Sequence, residues 1–234
     1  MAMRRNIEVG NELRDIVVAD VALILAFTML ENGAIYSLSK GWAVYWSGFI
    51  ALLPVMAVGV TLSFILHELM HKFVAQHYGA IAAFQMWPVG VLGALATSLF
   101  GFLFALPGAT MIYVQSFTKR ENGIVSLAGP LTNFVVFGAA LLILVYTSPA
   151  QGSFLSNTLG FTIFISIYLA FFNMLPIYPL DGSKVLAWNP AVYLSTMAVI
   201  FVLMLAFTGI GLYNIIFLII IALVMSTMFN QRRF

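Results

Sequence analysis

AVYWSGFIALLPVMAVGVTLSFILHELMH, residues 43–71, joins a long apolar run to a short cluster of titratable side chains. The run from Ala43 to Leu66 is longer than the roughly 20 residues that a helix needs to cross a bilayer. His67 and His71 follow at positions i and i+4, so both imidazoles lie on one face of that helix. Titratable groups near hydrocarbon are costly and are rarely tolerated without a role. This stretch therefore predicts a membrane helix that carries a metal site.

The composition indicates an integral membrane protein. Of the 234 residues, 62% are hydrophobic and 8% are charged, whereas about a quarter of the residues in soluble domains are charged. The chain has no cysteine, so every metal ligand must be a nitrogen or an oxygen. The net charge is only +2, and the basic residues lie at the ends of apolar runs, which argues against nucleic acid as a partner.

Six apolar runs are predicted to span the membrane, which gives an all-α polytopic membrane protein with a single integral domain, residues 1–234. The runs are Ile16 to Leu38, Trp46 to Gln76, Gly123 to Tyr146, Phe154 to Asn173, Ala191 to Phe207 and Gly211 to Met228. The core of the domain is expected over residues 46–187, followed by C-terminal helices over residues 191–229. With both termini cytoplasmic, every Lys and Arg except Lys40 lies on the cytoplasmic side, as the positive-inside bias requires.

The segment between the second and third spans, residues 79–118, is apolar but interrupted by proline and glycine. The charge distribution requires it to begin and end on the same side of the membrane. Two forms meet that condition: a membrane-associated hairpin, or a re-entrant helix followed by an extended return through Ala109 to Phe117. An extended return with an exposed edge suits an extended peptide, so we expect substrate docking by strand addition there.

Glu68 lies between the two histidines in the sequence, beside the position that a metal ion would leave open. A carboxylate at that place can take a proton from water, the role of the general base in zinc hydrolases. Catalytic zinc usually has three protein ligands. With His67 and His71 as two of them, one ligand remains to be found.

His77 is the first candidate, because it follows His71 by six residues as in the longer pattern HExxHxxGxxH. That pattern needs a sharp turn at the glycine, but the chain has the β-branched Val74 there. If the helix continues, His77 lies about 15 Å along the axis from His67 and points elsewhere.

Asp181 is the second candidate, in the segment NMLPIYPLDG of residues 173–182. It is the only acidic residue after Glu121. The two prolines interrupt helical hydrogen bonding and Gly182 permits a tight turn, so the carboxylate could point into a helix bundle. The predicted topology brings Asp181 and His71 to the same cytoplasmic depth, which favours Asp181 over His77.

Three motifs, in this order, resemble those of the site-2 protease family of intramembrane zinc metalloproteases: HELMH at residues 67–71, GPLTN at 129–133 and NMLPIYPLDG at 173–182. The resemblance covers about Leu53 to Lys184. It implies hydrolysis of peptide bonds in or near transmembrane segments of membrane-protein substrates, that is, regulated intramembrane proteolysis. Composition and charge distribution predict a multi-pass protein of the cell membrane, with the lipid bilayer around it and its active site near the cytoplasmic side.

The resemblance implies that His67, His71 and Asp181 bind one catalytic Zn²⁺ and that Glu68 is the general base. Asn173 is implied as a catalytic and substrate-binding residue that contacts the substrate backbone or stabilises the oxyanion.

In the GPLTN motif, Gly129 allows close approach of helices, and Asn133 is a further candidate for substrate binding. Lys184 follows the aspartate turn at a position where the family often has arginine.

A membrane metal transporter or sensor is an alternative function for the same His67, His71 and Asp181 site. Glu68 distinguishes the two, because transport tolerates Glu68→Gln whereas hydrolysis should lose most of its rate while zinc remains bound. The Phe-rich run from Phe161 to Phe172 is more typical of bundle core or lipid-facing surface than of an interface, so the sequence indicates no oligomeric state.

Overall fold

A computed structural model of the chain describes residues 11–103, 106–114, 116–207 and 220. Within these residues the fold is a helical bundle with one two-stranded sheet. The helices are α1 (Glu12–Glu31), α2 (Ala34–Ser39), α3 (Trp42–His77), α4 (Pro88–Leu99), α5 (Lys119–Thr147), α6 (Phe154–Asn173), α7 (Asp181–Trp188) and α8 (Pro190–Phe207). The strands are β1 (Ile81–Met86) and β2 (Gly108–Tyr113).

Four of the described helices, α3, α5, α6 and α8, are long and apolar enough to cross a membrane. They correspond to the second to fifth predicted spans, and α6 has the predicted bounds. The 36 residues of α3 extend over about 54 Å, more than the roughly 30 Å hydrocarbon core. The sixth predicted span, Gly211 to Met228, lies outside the described residues, so the total of six stays a prediction.

The first predicted span, Ile16 to Leu38, is not one helix in the structure. Helix α1 ends at Glu31, and α2 begins only at Ala34. Between them, Gly33 has a φ of 59°, a left-handed conformation that glycine adopts at no steric cost. The prediction treated the apolar residues on both sides of Gly33 as one run, and this glycine divides them.

The segment between α3 and α5 corrects the all-α prediction, because it contains an antiparallel sheet that pairs Ile81 with Tyr113 and Met86 with Gly108. The predicted helix and extended return correspond to α4 and β2, whereas β1 was not predicted. Gly108 permits the close pairing, since a Cβ there would overlap the Gln85 carbonyl and the Phe84 ring. Entry of this segment into the membrane stays a prediction.

Helix α1 covers the outer edge of β1. Oε1 of Glu12 accepts a hydrogen bond from the Phe84 amide at 3.1 Å, and Oδ2 of Asp15 accepts one from the Met86 amide at 3.2 Å. Because these even-numbered amides face α1, the ladder between the strands uses odd-numbered residues of β1. The register pairs odd-numbered residues of β1 with odd-numbered residues of β2, so the even-numbered amides of β2 point away from β1. The amide of Thr110 is one of these.

Helices α3, α5 and α6 form the centre of the bundle, with α8 packed on α6 and α7. Gly59 of α3 lies against Thr162 and Ile165 of α6, where a small residue lets the two helices approach. Buried Ser63 and Ser166 form a hydrogen bond of 2.8 Å across the same interface. This packing brings the end of α3, the first turns of α5 and the α6–α7 connection together.

Candidate metal centre

His67, His71 and Asp181 converge at one end of the bundle, and all three are buried. Nε2 of His67 lies 3.0 Å from Nε2 of His71, and Oδ2 of Asp181 lies 3.5 Å and 3.1 Å from these two nitrogens. Ligand atoms around a tetrahedral zinc ion with bonds of about 2.0–2.1 Å are about 3.3 Å apart. The two imidazoles and the carboxylate therefore fit a zinc ion in both chemistry and spacing.

The ring orientation of His71 is fixed by helix α5. Nδ1 of His71 lies 2.7 Å from the backbone carbonyl oxygen of Val125. A carbonyl can only accept, so Nδ1 carries a hydrogen and Nε2 of the neutral ring keeps its lone pair. Nε2 of His67, Nε2 of His71 and Oδ2 of Asp181 lie within 3.5 Å of one another. A cation among them, a proton or a metal ion, interacts favourably with the carboxylate and with the lone pair of His71.

Gly129 of α5 lies against both imidazoles. A Cβ at this position would overlap Nε2 of His67 and Nε2 of His71. The missing side chain thus lets α5 approach α3 and leaves room beside the two ligand nitrogens.

Asp181 is the first residue of α7, and the chain before it folds back on the end of α6. Gly182 permits this turn, because a Cβ there would overlap the Met174 carbonyl. Burial alone would raise the pKa of Asp181, but the neighbouring imidazoles of His71 and His67 and the charge of Lys184 hold that pKa below its ordinary value. Asp181 is therefore ionised, as a metal ligand must be.

Glu68 faces strand β2, where Thr110 holds its carboxylate. Oε2 of Glu68 accepts a hydrogen bond from the Thr110 amide at 3.0 Å and lies 2.9 Å from the Thr110 hydroxyl. The hydroxyl is also 3.1 Å from the backbone carbonyl of Glu68 and, with one hydrogen, donates to one of these acceptors at a time. Thr110 was not predicted, since no motif includes it and only the strand pairing brings it to Glu68.

A cavity of about 80 Å³ lies between these groups. This volume exceeds the roughly 10–15 Å³ that one water molecule needs, so the cavity has room for water. Described residues from the site that line it are Glu68, His71, Thr110, Ser126, Asn173, Asp181 and Lys184. Ser126, like Thr110, was missed by the sequence analysis. Its carbonyl cannot receive the usual helical hydrogen bond, because Pro130 has no amide hydrogen.

The other predicted site residues differ in position. Asn173 ends α6 and lines the cavity, and its Nδ2 donates to the Leu169 carbonyl at 3.0 Å. Asn133 is fully buried, and neither its Oδ1 nor its Nδ2 has a partner among the described residues. It is not among the described residues that line the cavity. Helix α3 continues through Val74 to His77, which lies outside the ligand cluster.

Comparison with known proteins gives one family and several relatives. The sequence model of peptidase family M50 matches residues 143–188, which include Asn173 and Asp181. "Putative zinc metalloprotease MJ0611" of Methanocaldococcus jannaschii is 41% identical over 149 residues, 63% of this chain and 76% of that protein. "Putative zinc metalloprotease YwhC" of Bacillus subtilis is 28% identical over 152 residues, 58% of this chain and 69% of that protein. No solved structure gives a significant match.

Proposed function

This chain belongs to peptidase family M50, and from that premise we propose that it is an intramembrane zinc metalloprotease of the site-2 type. Its substrates are membrane proteins, cut in or near their transmembrane segments. One observation carries the proposal: His67, His71 and Asp181 converge beside Glu68 in a bundle with four apolar helices of spanning length. Hydrolysis of a peptide bond at such a place needs a metal site, a base and water. Glu68, His71 and Asp181 line the cavity, and the cavity has room for water.

In the proposed site, His67, His71 and Asp181 hold one zinc ion. Two imidazoles and one carboxylate are the ligand set of several zinc peptidases and leave a position open for substrate or water. A bound zinc ion supplies Lewis acidity, which polarises the scissile carbonyl and lowers the pKa of water.

Glu68 takes the proton from the attacking water and passes it to the leaving amine. Thr110 forms its hydrogen bonds to Oε2 of Glu68, so Oε1 is the oxygen that accepts and passes on the proton. Asn173 uses one Nδ2 hydrogen to bind Leu169 and has a second one for a substrate carbonyl or the oxyanion. Asn133 is fully buried, which favours a role in helix packing over direct contact with the substrate.

The substrate is proposed to dock as an extended strand on the outer edge of β2. Glu12 and Asp15 accept hydrogen bonds from the outer amides of β1, so the outer edge of β2 is the better candidate for pairing with a substrate strand. A strand paired at Gly108 and Ile112 would pass Thr110 and therefore Glu68. A substrate helix must unwind locally to reach this edge, because helical hydrogen bonds otherwise occupy its amides.

The single domain is proposed to have both termini in the cytoplasm and its site near the cytoplasmic side. Basic residues surround this end of the bundle: Lys72 follows His71, Lys119 and Arg120 begin α5, and Lys184 follows Asp181 by three residues. The positive-inside bias favours this end as the cytoplasmic one.

Zinc content and cleavage of a transmembrane substrate by the purified protein test the proposal. We expect zinc in the wild type and in Glu68→Gln, and cleavage by the wild type alone. Glu31→Gln, at the far end of α1, is the matched control and should retain both. Equal cleavage by Glu68→Gln would contradict the assigned base. Zinc in both with no cleavage by either, together with zinc flux across proteoliposomes, would favour the transporter.

A further inference from the structure

A second cavity, of about 310 Å³, lies beside the catalytic one. The large apolar side chains among its described lining residues are Met86, Trp87, Leu106, Met111 and Pro179. Gln85 is the polar side chain of the described lining, and its amide is bound to the Tyr113 hydroxyl at 2.8 Å. The volume is at the lower end of the roughly 300–1,000 Å³ range of ligand pockets, which suits one large side chain. We call this cavity the apolar pocket.

Strand β2 separates the two cavities. Successive side chains of a strand point to opposite faces, and here Thr110 and Ile112 line the catalytic cavity while Met111 lines the apolar pocket. Gly108 and Ala109 line both cavities. The small residues of β2 thus leave the two spaces in contact beside the outer edge of the strand.

We propose that the apolar pocket binds one large apolar side chain of the substrate, next to the peptide bond that is cut. The inference rests on the proposed function, because it takes the substrate to lie along the outer edge of β2. An extended chain there directs alternate side chains to the two faces, so a residue beside the scissile bond points to the side of Met111. No charged side chain is among the described lining residues, so leucine, methionine or phenylalanine is favoured over aspartate or lysine.

Substrate variants test the pocket. In a transmembrane substrate, each position flanking the cut is changed in turn to Ala, Leu, Phe or Asp, and kcat/KM is measured. At one position, Leu and Phe should exceed Ala by about 10- to 100-fold, and Asp should be the poorest. Equal rates for Ala, Leu and Phe at every position would overturn the proposal.

Met111→Trp fills the pocket and is the matching enzyme variant. Met111 is 43% exposed, so the larger side chain does not disturb the core. The variant should lower kcat/KM for Leu and Phe substrates about tenfold and leave the Ala substrate within about twofold. Ile81→Trp is the control, since Ile81 is 41% exposed on the same face of the sheet but does not line the pocket. Equal losses for Ala and Leu substrates in Met111→Trp would contradict the assignment.

A binding measurement separates failure of the pocket from failure of the proposed function. Zinc-loaded Glu68→Gln protein is titrated with two fluorescently labelled peptides, one with Leu and one with Ala at alternate positions. Binding of the Leu peptide about tenfold tighter, with that advantage lost in the Glu68→Gln/Met111→Trp variant, would support the pocket even if the wild type hydrolysed nothing. Equal binding of both peptides would overturn it, which is the result expected if a lipid acyl chain fills the pocket.

Discussion

The backbone amide of Thr110 donates a hydrogen bond of 3.0 Å to Oε2 of Glu68, although the two residues are 42 positions apart in the sequence. This amide lies on the outer edge of β2, where an unpaired strand would otherwise offer it to another chain. The strand proposed to receive the substrate therefore also holds the proposed general base. Docking of a substrate on β2 and the position of Glu68 are linked through one residue.

Thr110→Val should lower kcat and leave KM and zinc content near their wild-type values. Valine has the shape of threonine but no hydroxyl, so Glu68 loses the hydroxyl donor and keeps the hydrogen bond from the amide to Oε2. A hydrogen bond to a charged group contributes about 1.5–3 kcal/mol, so we expect a loss of about tenfold or more in kcat. Thr110→Ser retains the hydroxyl and should restore most of the rate. Steady-state kinetics decide, and a serine variant as slow as the valine variant would show that packing, not the hydroxyl, is responsible.

Asp181→Asn should bind zinc far more weakly than the wild type. Asparagine keeps the size of the side chain but removes the negative charge that faces Nε2 of both histidines. Loss of an outer partner of a zinc ligand already costs about 10- to 100-fold in affinity, so loss of a ligand should cost more than about 100-fold. Competition with a chelator measures this affinity. Asp20→Asn is the control, because Asp20 is a buried acid that accepts a hydrogen bond from Thr61 and lies outside the ligand cluster. Wild-type affinity in Asp181→Asn would remove Asp181 from the ligand set.

Gly129→Ala should prevent zinc binding while the helical content is retained. Its Cβ would overlap Nε2 of His67 and of His71, so the imidazoles would have to leave the positions seen in the structure. Gly138→Ala on the same helix has no atom within 4 Å of the added Cβ and is the matched control. The control should bind zinc normally and gain slightly in stability, since alanine is the better helix former. Metal analysis and circular dichroism give both readouts, and normal zinc content in Gly129→Ala would contradict this packing of α5 on α3.

The elements that could be predicted from sequence are those whose signals are local. Helix α6 has its predicted bounds because Ser153 caps its start and Pro176 follows its end. The ligand cluster could be predicted because α3 has no helix-breaking residue near His67 and His71. The chain also has a single late acid, Asp181, in a turn.

The elements that were missed depend on distant partners. Strand β1, with the sequence IAAFQM, has no regular alternation of apolar and polar residues and reads as part of a membrane segment. Its outer amides are bound by α1, about 70 residues earlier in the chain. Thr110 is likewise placed by the pairing of β2 with β1, and no residue near it in the sequence indicates a contact with Glu68.

The contact between α1 and β1 gives a further prediction, on the rigidity of the sheet. Glu12 accepts hydrogen bonds from the Phe84 amide and, at 2.7 Å and 2.8 Å, from Nζ of Lys72. Glu12→Ala removes the acceptor for both groups, so the Phe84 amide at the outer edge of β1 would be left to water. Amide hydrogen exchange of residues 81–86 should then be faster. Exchange in α8 should be unchanged, because α8 packs on α6 and α7.

The same variant should also lower the rate of cleavage, since β1 sets the position of β2 and thus of Thr110 beside Glu68. Glu12→Gln separates the two contacts of this side chain: its amide oxygen can still accept from Phe84, but the charge that pairs with Lys72 is gone. If the edge contact holds the sheet, the amides of residues 81–86 should exchange more slowly in Glu12→Gln than in Glu12→Ala. Glu12→Gln should also retain more activity. Equal exchange in both variants would mean that the ion pair with Lys72, and not the capped edge of β1, holds the sheet against α1.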